Sequence, residues 1–106
     1  MDRDLVCLVS LERRYFEYAT NVAAPVTRPM TKLELFEFVR CEEGWIGLQE
    51  LPERLERVKA RGHSALAHYA NASVQELLAG NRAGPEESEW TLDQFKAWCR
   101  GDEVLE

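Results

Sequence analysis

"MTKLELFEFVRCEEGWIGLQELPERLERVKARG", residues 30–62, is the stretch whose reading decides the fold. Thr31 is followed three residues later by Glu34. In that spacing the hydroxyl accepts from the amide of the third helical residue, and the carboxylate accepts from the amide of the cap itself. Met30 and Leu35 stand where a hydrophobic staple places its two apolar residues. Leu35, Phe36 and Val39 then form an inward face and predict a helix over 32–43, stopped by Gly44. Beyond it Leu48, Leu51, Leu55 and Val58 recur at helical spacing, Pro52 suits a first-turn position and Gly62 ends the pattern. The stretch therefore predicts two helices separated at Gly44. Glu50 with Arg54 and Glu53 with Arg57 lie four apart, pairs worth about 0.2–0.5 kcal/mol each that mark a solvated face. Trp45 has two readings, a plug folded back onto the helix it follows or an exposed anchor of the kind enriched at interfaces.

The same capping grammar returns in "ASVQEL", residues 72–77, and "WTLDQF", residues 90–95. Ser73 with Glu76 and Thr91 with Gln94 form the boxes, Trp90 staples Phe95, and Leu92, Phe95 and Trp98 make an inward stripe. Two segments read as extended, "RRYFEYAT" at 13–20 and "HSALAHYA" at 63–70, and they are expected to pair with each other because a lone strand leaves its backbone groups unsatisfied. The opening "LVCLVSL", residues 5–11, is either a third strand or a short helix. "NVAAPVTRPM", residues 21–30, is a long apolar connection that either packs over the core or forms a contact surface. "GNRAGPEESE", residues 80–89, reads as a solvent-exposed hinge and lacks the ending of a phosphate loop. The predicted class is α+β: a small single domain, 1–106, with two or three short antiparallel strands packed against about four helices.

A chain of 106 residues, 45% hydrophobic and 30% charged, has the size and composition of one soluble globular domain. Its formal net charge is −6, and residues 1–40 hold six basic and six acidic groups, so the whole deficit lies in 41–106. Such a field repels phosphate backbones and anionic membranes and favours basic partners. The expectation is a basic protein partner, with neither direct nucleic-acid binding nor membrane association. The run at 5–11 is too short for a membrane span and lacks a basic leader. Cys7, Cys41 and Cys99 are odd in number and widely spaced, which suits reduced thiols and a cytoplasmic location.

No stretch carries a specific catalytic, metal or nucleotide signature. "GHSAL", residues 62–66, lacks the closing glycine of a serine nucleophile elbow. His63 and His68, five apart on a predicted strand, point to opposite faces and cannot share a metal. Either one remains available as a general base. Cys41 and Cys99 sit near predicted helix carboxyl ends, where a thiolate is disfavoured. "RRYFEY" offers a stacking platform for single strands or, more plainly, a two-faced strand with Phe16 and Tyr18 in the core. "NAS", residues 71–73, matches a glycosylation acceptor, but Ser73 is better used as a cap. No cofactor is expected.

Two acid clusters remain, Glu86, Glu87 and Glu89 ahead of the last helix and Asp102 and Glu103 beyond its carboxyl end, where negative charge opposes the helix dipole. With Trp45 they form the candidate partner-binding set. The favoured expectation is a non-enzymatic interaction module, an adaptor or inhibitor presenting an acidic surface to a basic protein. The alternatives are a structural homo-oligomeric subunit, or a small enzyme or ligand-binding domain using His63 or His68 in a cleft.

Overall fold

The computed structural model describes residues 6–66 and 69–101. Val6–Leu11 (β1) and Arg14–Ala19 (β2) pair antiparallel in the register Leu8↔Glu17, Val9↔Phe16. A two-residue turn joins them, with Glu12 at φ 51° and Arg13 at φ 63°. Positive φ at both positions belongs to the type I′ hairpin, whose twist matches that of the strands. Ala24–Pro25 (β3) pairs with the far side of β2. Val26 N–H donates to the Glu17 carbonyl at 2.8 Å, Thr27 Oγ1 accepts from Glu17 N–H at 2.9 Å, and Met30 exchanges two backbone bonds with Tyr15. The long connection is thus laid along the sheet edge and anchored there by Met30, while Val22 and Val26 stay exposed, so it is only in part a packed cover.

The sheet has the order β1-β2-β3. Residues 13–20 pair with β1 and β3 and not, as the sequence suggested, with the described residues of 63–70. Ser10 N–H donates to Gly62 O and Ser64 N–H to Leu8 O, both at 2.9 Å, so 62–64 only brushes the outer edge of β1 through a bridge from Val9 to His63. The hairpin partner available two residues away in sequence closes a far shorter loop than the one fifty residues on. The opening apolar run is therefore the missing strand.

Pleat alternation sends Cys7, Val9, Phe16 and Tyr18 to one face and Leu8 with Tyr15 and Glu17 to the other. Lys32–Arg61 (α1) covers the second face, burying Leu35, Val39, Leu51 and Val58 in one cluster with Leu8 and Met30. Val74–Leu78 (α2) and Leu92–Arg100 (α3) cover the first, where Leu77, Leu78, Phe95 and Cys99 join Phe16 and Tyr18. Phe16 stacks on Phe95 at 5.9 Å and meets Trp98 edge-on at 5.2 Å, while Trp90 meets Phe95 at 5.3 Å, the stapled pair in contact. The fold is α+β, with the strands buried between two helical layers.

All three capping boxes are formed, at Thr31, Ser73 and Thr91. Among the described residues there are three α-helices, with a single 3-10 turn at Pro85–Glu87, against the expected four or so. The two helices read on either side of Gly44 are one element, because only Gly44 leaves helical geometry (φ 67°, ψ −151°) and the chain resumes the helix at once. Pro52 lies well inside it rather than in a first turn. Phe36 points outward at 38% exposure, unlike Leu35 and Val39, which are fully buried. The segment 80–89 is largely exposed, as expected, but its start is anchored. Buried Asn81 uses both ends of its amide, donating to Leu78 O and Trp90 O and accepting from Ala83 N–H and Trp90 N–H. That side chain pins the turn to the start of α3.

Candidate functional site

Glu17 is the cross-strand neighbour of Leu8, on the face of the sheet that α1 covers. A carboxylate in the middle strand of a sheet covered on both faces must find a counter-charge or take up a proton. Arg54 supplies the charge: its Nη2 lies 3.0 Å from Glu17 Oε1 and its Nη1 3.6 Å from Glu43 Oε2, with the Arg54 and Glu17 side chains only 13% and 8% exposed. The guanidinium thus ties β2 to the part of α1 before Gly44 and belongs itself to the part after it. Gly47 makes room for this arrangement, since a Cβ there would overlap Glu43 Cβ.

Around this pair opens a cleft of about 570 Å³. Glu17 lies at its base, and Cys7, Ser64 and Ala65 line the side at the outer edge of β1. One wall is the inner side of α1, with Phe38, Glu42, Glu43, Glu50, Glu53, Arg54 and Arg57, and the opposite rim carries Leu66 and Tyr69. Five carboxylates therefore face two guanidiniums. Arg57 is turned to the backbone, its Nε donating to Ser64 O at 3.1 Å. Glu50 and Glu53 are exposed as expected of a solvated face and line this cleft, but Arg54 is turned inward.

Burial raises the Glu17 carboxyl above its ordinary value; Arg54 opposes that rise, and the nearby Glu43 and Glu42 add to it. Burial likewise pushes the Cys7 thiol up to about 12 and the Cys99 thiol to about 11, so both are protonated at neutral pH and neither is a nucleophile. His63 is fully buried outside the cleft. Its Nδ1 accepts from Ala65 N–H at 3.1 Å and its Nε2 donates to Ala72 O at 2.6 Å. Both nitrogens hold backbone. Among the described residues no group of three or more His, Cys, Asp or Glu side chains is placed to hold a metal ion, and no helix is long and apolar enough to cross a membrane.

The candidate residues read from the sequence fall elsewhere. Glu86, Glu87 and Glu89 are exposed on the turn before α3. The Glu87 carboxylate lies 4.0 Å from Arg82, and Glu89 Oε2 accepts from Gly80 N–H at 2.9 Å. Glu89 thus serves the turn. Asp102, Glu103 and His68 lie outside the described residues. Trp45 is 73% exposed beside Ile46 at 61%, so it is no core plug, and it does not line the cleft. Phe16 and Tyr18 are buried, which leaves no aromatic stacking platform on β2.

The sequence did carry one overlooked signal: Glu17 stands between Phe16 and Tyr18 in a strand with apolar neighbours on both faces, where an acid has to be explained. No family model, no curated protein and no solved structure matches the chain. The fold and the cleft are the ground on which function is read.

Proposed function

We propose that the protein is a non-enzymatic interaction module whose acidic cleft between α1 and the sheet receives a basic segment of a partner protein. The observation that carries this reading is the surplus of carboxylates in one concave site, five against two guanidiniums, with Arg54 already engaged by Glu17 and Glu43. A cleft cut into the low-dielectric body of a protein focuses the field of such charges and speeds encounter with a cation-bearing partner. Helical spacing puts Ile46 one turn ahead of Glu50 on the stripe that continues through Glu53 and Arg57, so an exposed apolar side chain adjoins the acids. The acidic surface of the expectation is retained and relocated from the 86–89 turn to 42–53.

The test is calorimetric titration with a basic decapeptide at low and at physiological salt. Glu42→Lys/Glu53→Lys is expected to abolish binding, while Glu86→Lys/Glu87→Lys, with the same change in net charge, is expected to retain it. Equal loss in both variants would show that the overall field, not the cleft, attracts the peptide. Absence of binding at low salt, where attraction is strongest, would reject the module outright.

A further inference from the structure

The floor of the cleft holds a buried carboxylate that is only half used. Glu17 is 8% exposed and gives Oε1 to Arg54, and no hydrogen bond from a described residue reaches its Oε2. A carboxylate offers about four lone-pair sites, and Oε2, which is not among the atoms sealed from solvent without a partner, stays open to a donor entering the cleft. Burial raises the Glu17 carboxyl above its ordinary value, Arg54 only partly opposes that rise, and Glu43 and Glu42 add to it, so a second cation would find unneutralised negative charge here. Above this floor, Glu42 and Glu53 make no ion pair among the described residues, and Phe38 and Tyr69 add aromatic surface.

Resting on the reading of the cleft as a site for a basic partner, we infer that its specific ligand is the guanidinium of a single arginine side chain presented by that partner. A planar guanidinium carries five donors in a fork that can serve two carboxylates at once, stacks on aromatic faces and is more weakly hydrated than an ammonium. Each property meets a feature of the cleft. The fork meets Glu17 Oε2 and the wall carboxylates, the flat face meets Tyr69 or Phe38, and weak hydration suits a site based on a carboxylate that is itself only 8% exposed. The site already holds one guanidinium in this manner, Arg54, shared between two carboxylates. A lysine ammonium, a compact and strongly hydrated charge, would gain the Coulomb attraction and lose the fork and the stacking.

The experiment compares two peptides identical except for one central residue, acetyl-Gly-Ser-Arg-Ser-Gly-amide and its lysine counterpart, by titration and by the amide shifts they induce in the intact protein. The arginine peptide is expected to bind about tenfold more tightly, the worth of one further charge-assisted hydrogen bond. Its shifts should centre on Glu17, Glu53 and Tyr69. Glu17→Gln should remove the preference. Because that change also disturbs Arg54, Tyr69→Ala and Glu53→Gln, both at the rim, provide independent variants, and each should reduce the preference severalfold while leaving the unfolding midpoint within a few degrees. Equal affinity for the two peptides, or shifts centred on the 86–89 turn, would overturn the inference. If both peptides bind the cleft equally, the acidic module stands and only the arginine specificity falls. If neither binds while the basic decapeptide does, the single-side-chain pocket is likewise refuted.

Discussion

At the scale of single residues, Arg54 carries the most consequence. It neutralises a carboxylate taken out of water and also reaches the one before the Gly44 break, at 3.0 and 3.6 Å. Removing one partner of a buried pair leaves an uncompensated charge, which typically costs about 3–5 kcal/mol, far more than a surface pair contributes. Arg54→Ala should therefore destabilise by about that amount in urea unfolding at neutral pH. The pH dependence has a definite sign. Because burial outweighs Arg54, Glu17 holds its proton to a higher pH when folded than its ordinary value of 4.5. A carboxyl of raised folded value contributes its stability below the unfolded value, and loses it as pH rises through the folded one. Without Arg54 that rise is larger, so the cost of Arg54→Ala should be smaller at pH 4 than at pH 7. A cost that grows towards acid would show that the pair does not govern Glu17. None of this was visible in the chain order, where Arg54 stands four residues after Glu50 and matches an ordinary surface pair. Spacing along one helix says nothing about a strand thirty-seven residues earlier.

Elements were legible where their signals are local. The three capping boxes, the Trp90 staple and the inward stripe of α3 are each written within a few residues, and each is formed. Strand pairing is not local, and there the reading joined the wrong partners. The type I′ turn that decides the hairpin is made by Glu12 and Arg13, neither of them the glycine or asparagine that usually announces it. Gly44 was identified correctly as a break and wrongly as an end. Its φ of 67° with ψ of −151° lies close to a region populated almost only by glycine, and a Cβ there would meet nothing within 4 Å. The effect of Gly44→Ala is thus purely conformational. It should cost about 1–3 kcal/mol, measured as a lowered urea midpoint at unchanged slope, with helical content retained. A neutral or stabilising result would mean that the two parts of α1 join as a continuous helix without strain, and that Glu43 and Arg54 tolerate the new path.

For the whole molecule, the distribution of charge sets function against stability. The chain carries −6 in total, and the cleft concentrates like charges around a buried carboxylate whose proton affinity Glu42 and Glu43 raise. Self-repulsion of this kind destabilises the compact state and is relieved by counter-ions, because the Debye length falls from about 30 Å at 0.01 M to about 3 Å at 1 M. The exposed pairs that salt would weaken, Arg28 with Glu34, Arg40 with Glu37, Arg82 with Glu87 and Arg100 with Glu12, are solvated and contribute little. Repulsion should win. Raising sodium chloride from about 0.02 to 0.5 M should therefore raise the thermal midpoint, although the same salt weakens any basic ligand. Glu42→Gln/Glu53→Gln should start from a higher midpoint and respond less to salt, since part of the repulsion has been removed. If salt lowers the midpoint of the unaltered protein, attractive pairs outweigh the cleft and its carboxylates carry no strain to be relieved by a partner. If the double variant is less stable than the parent, Glu42 and Glu53 are structural, and an acidic wall kept at a cost to folding is the wrong description of α1.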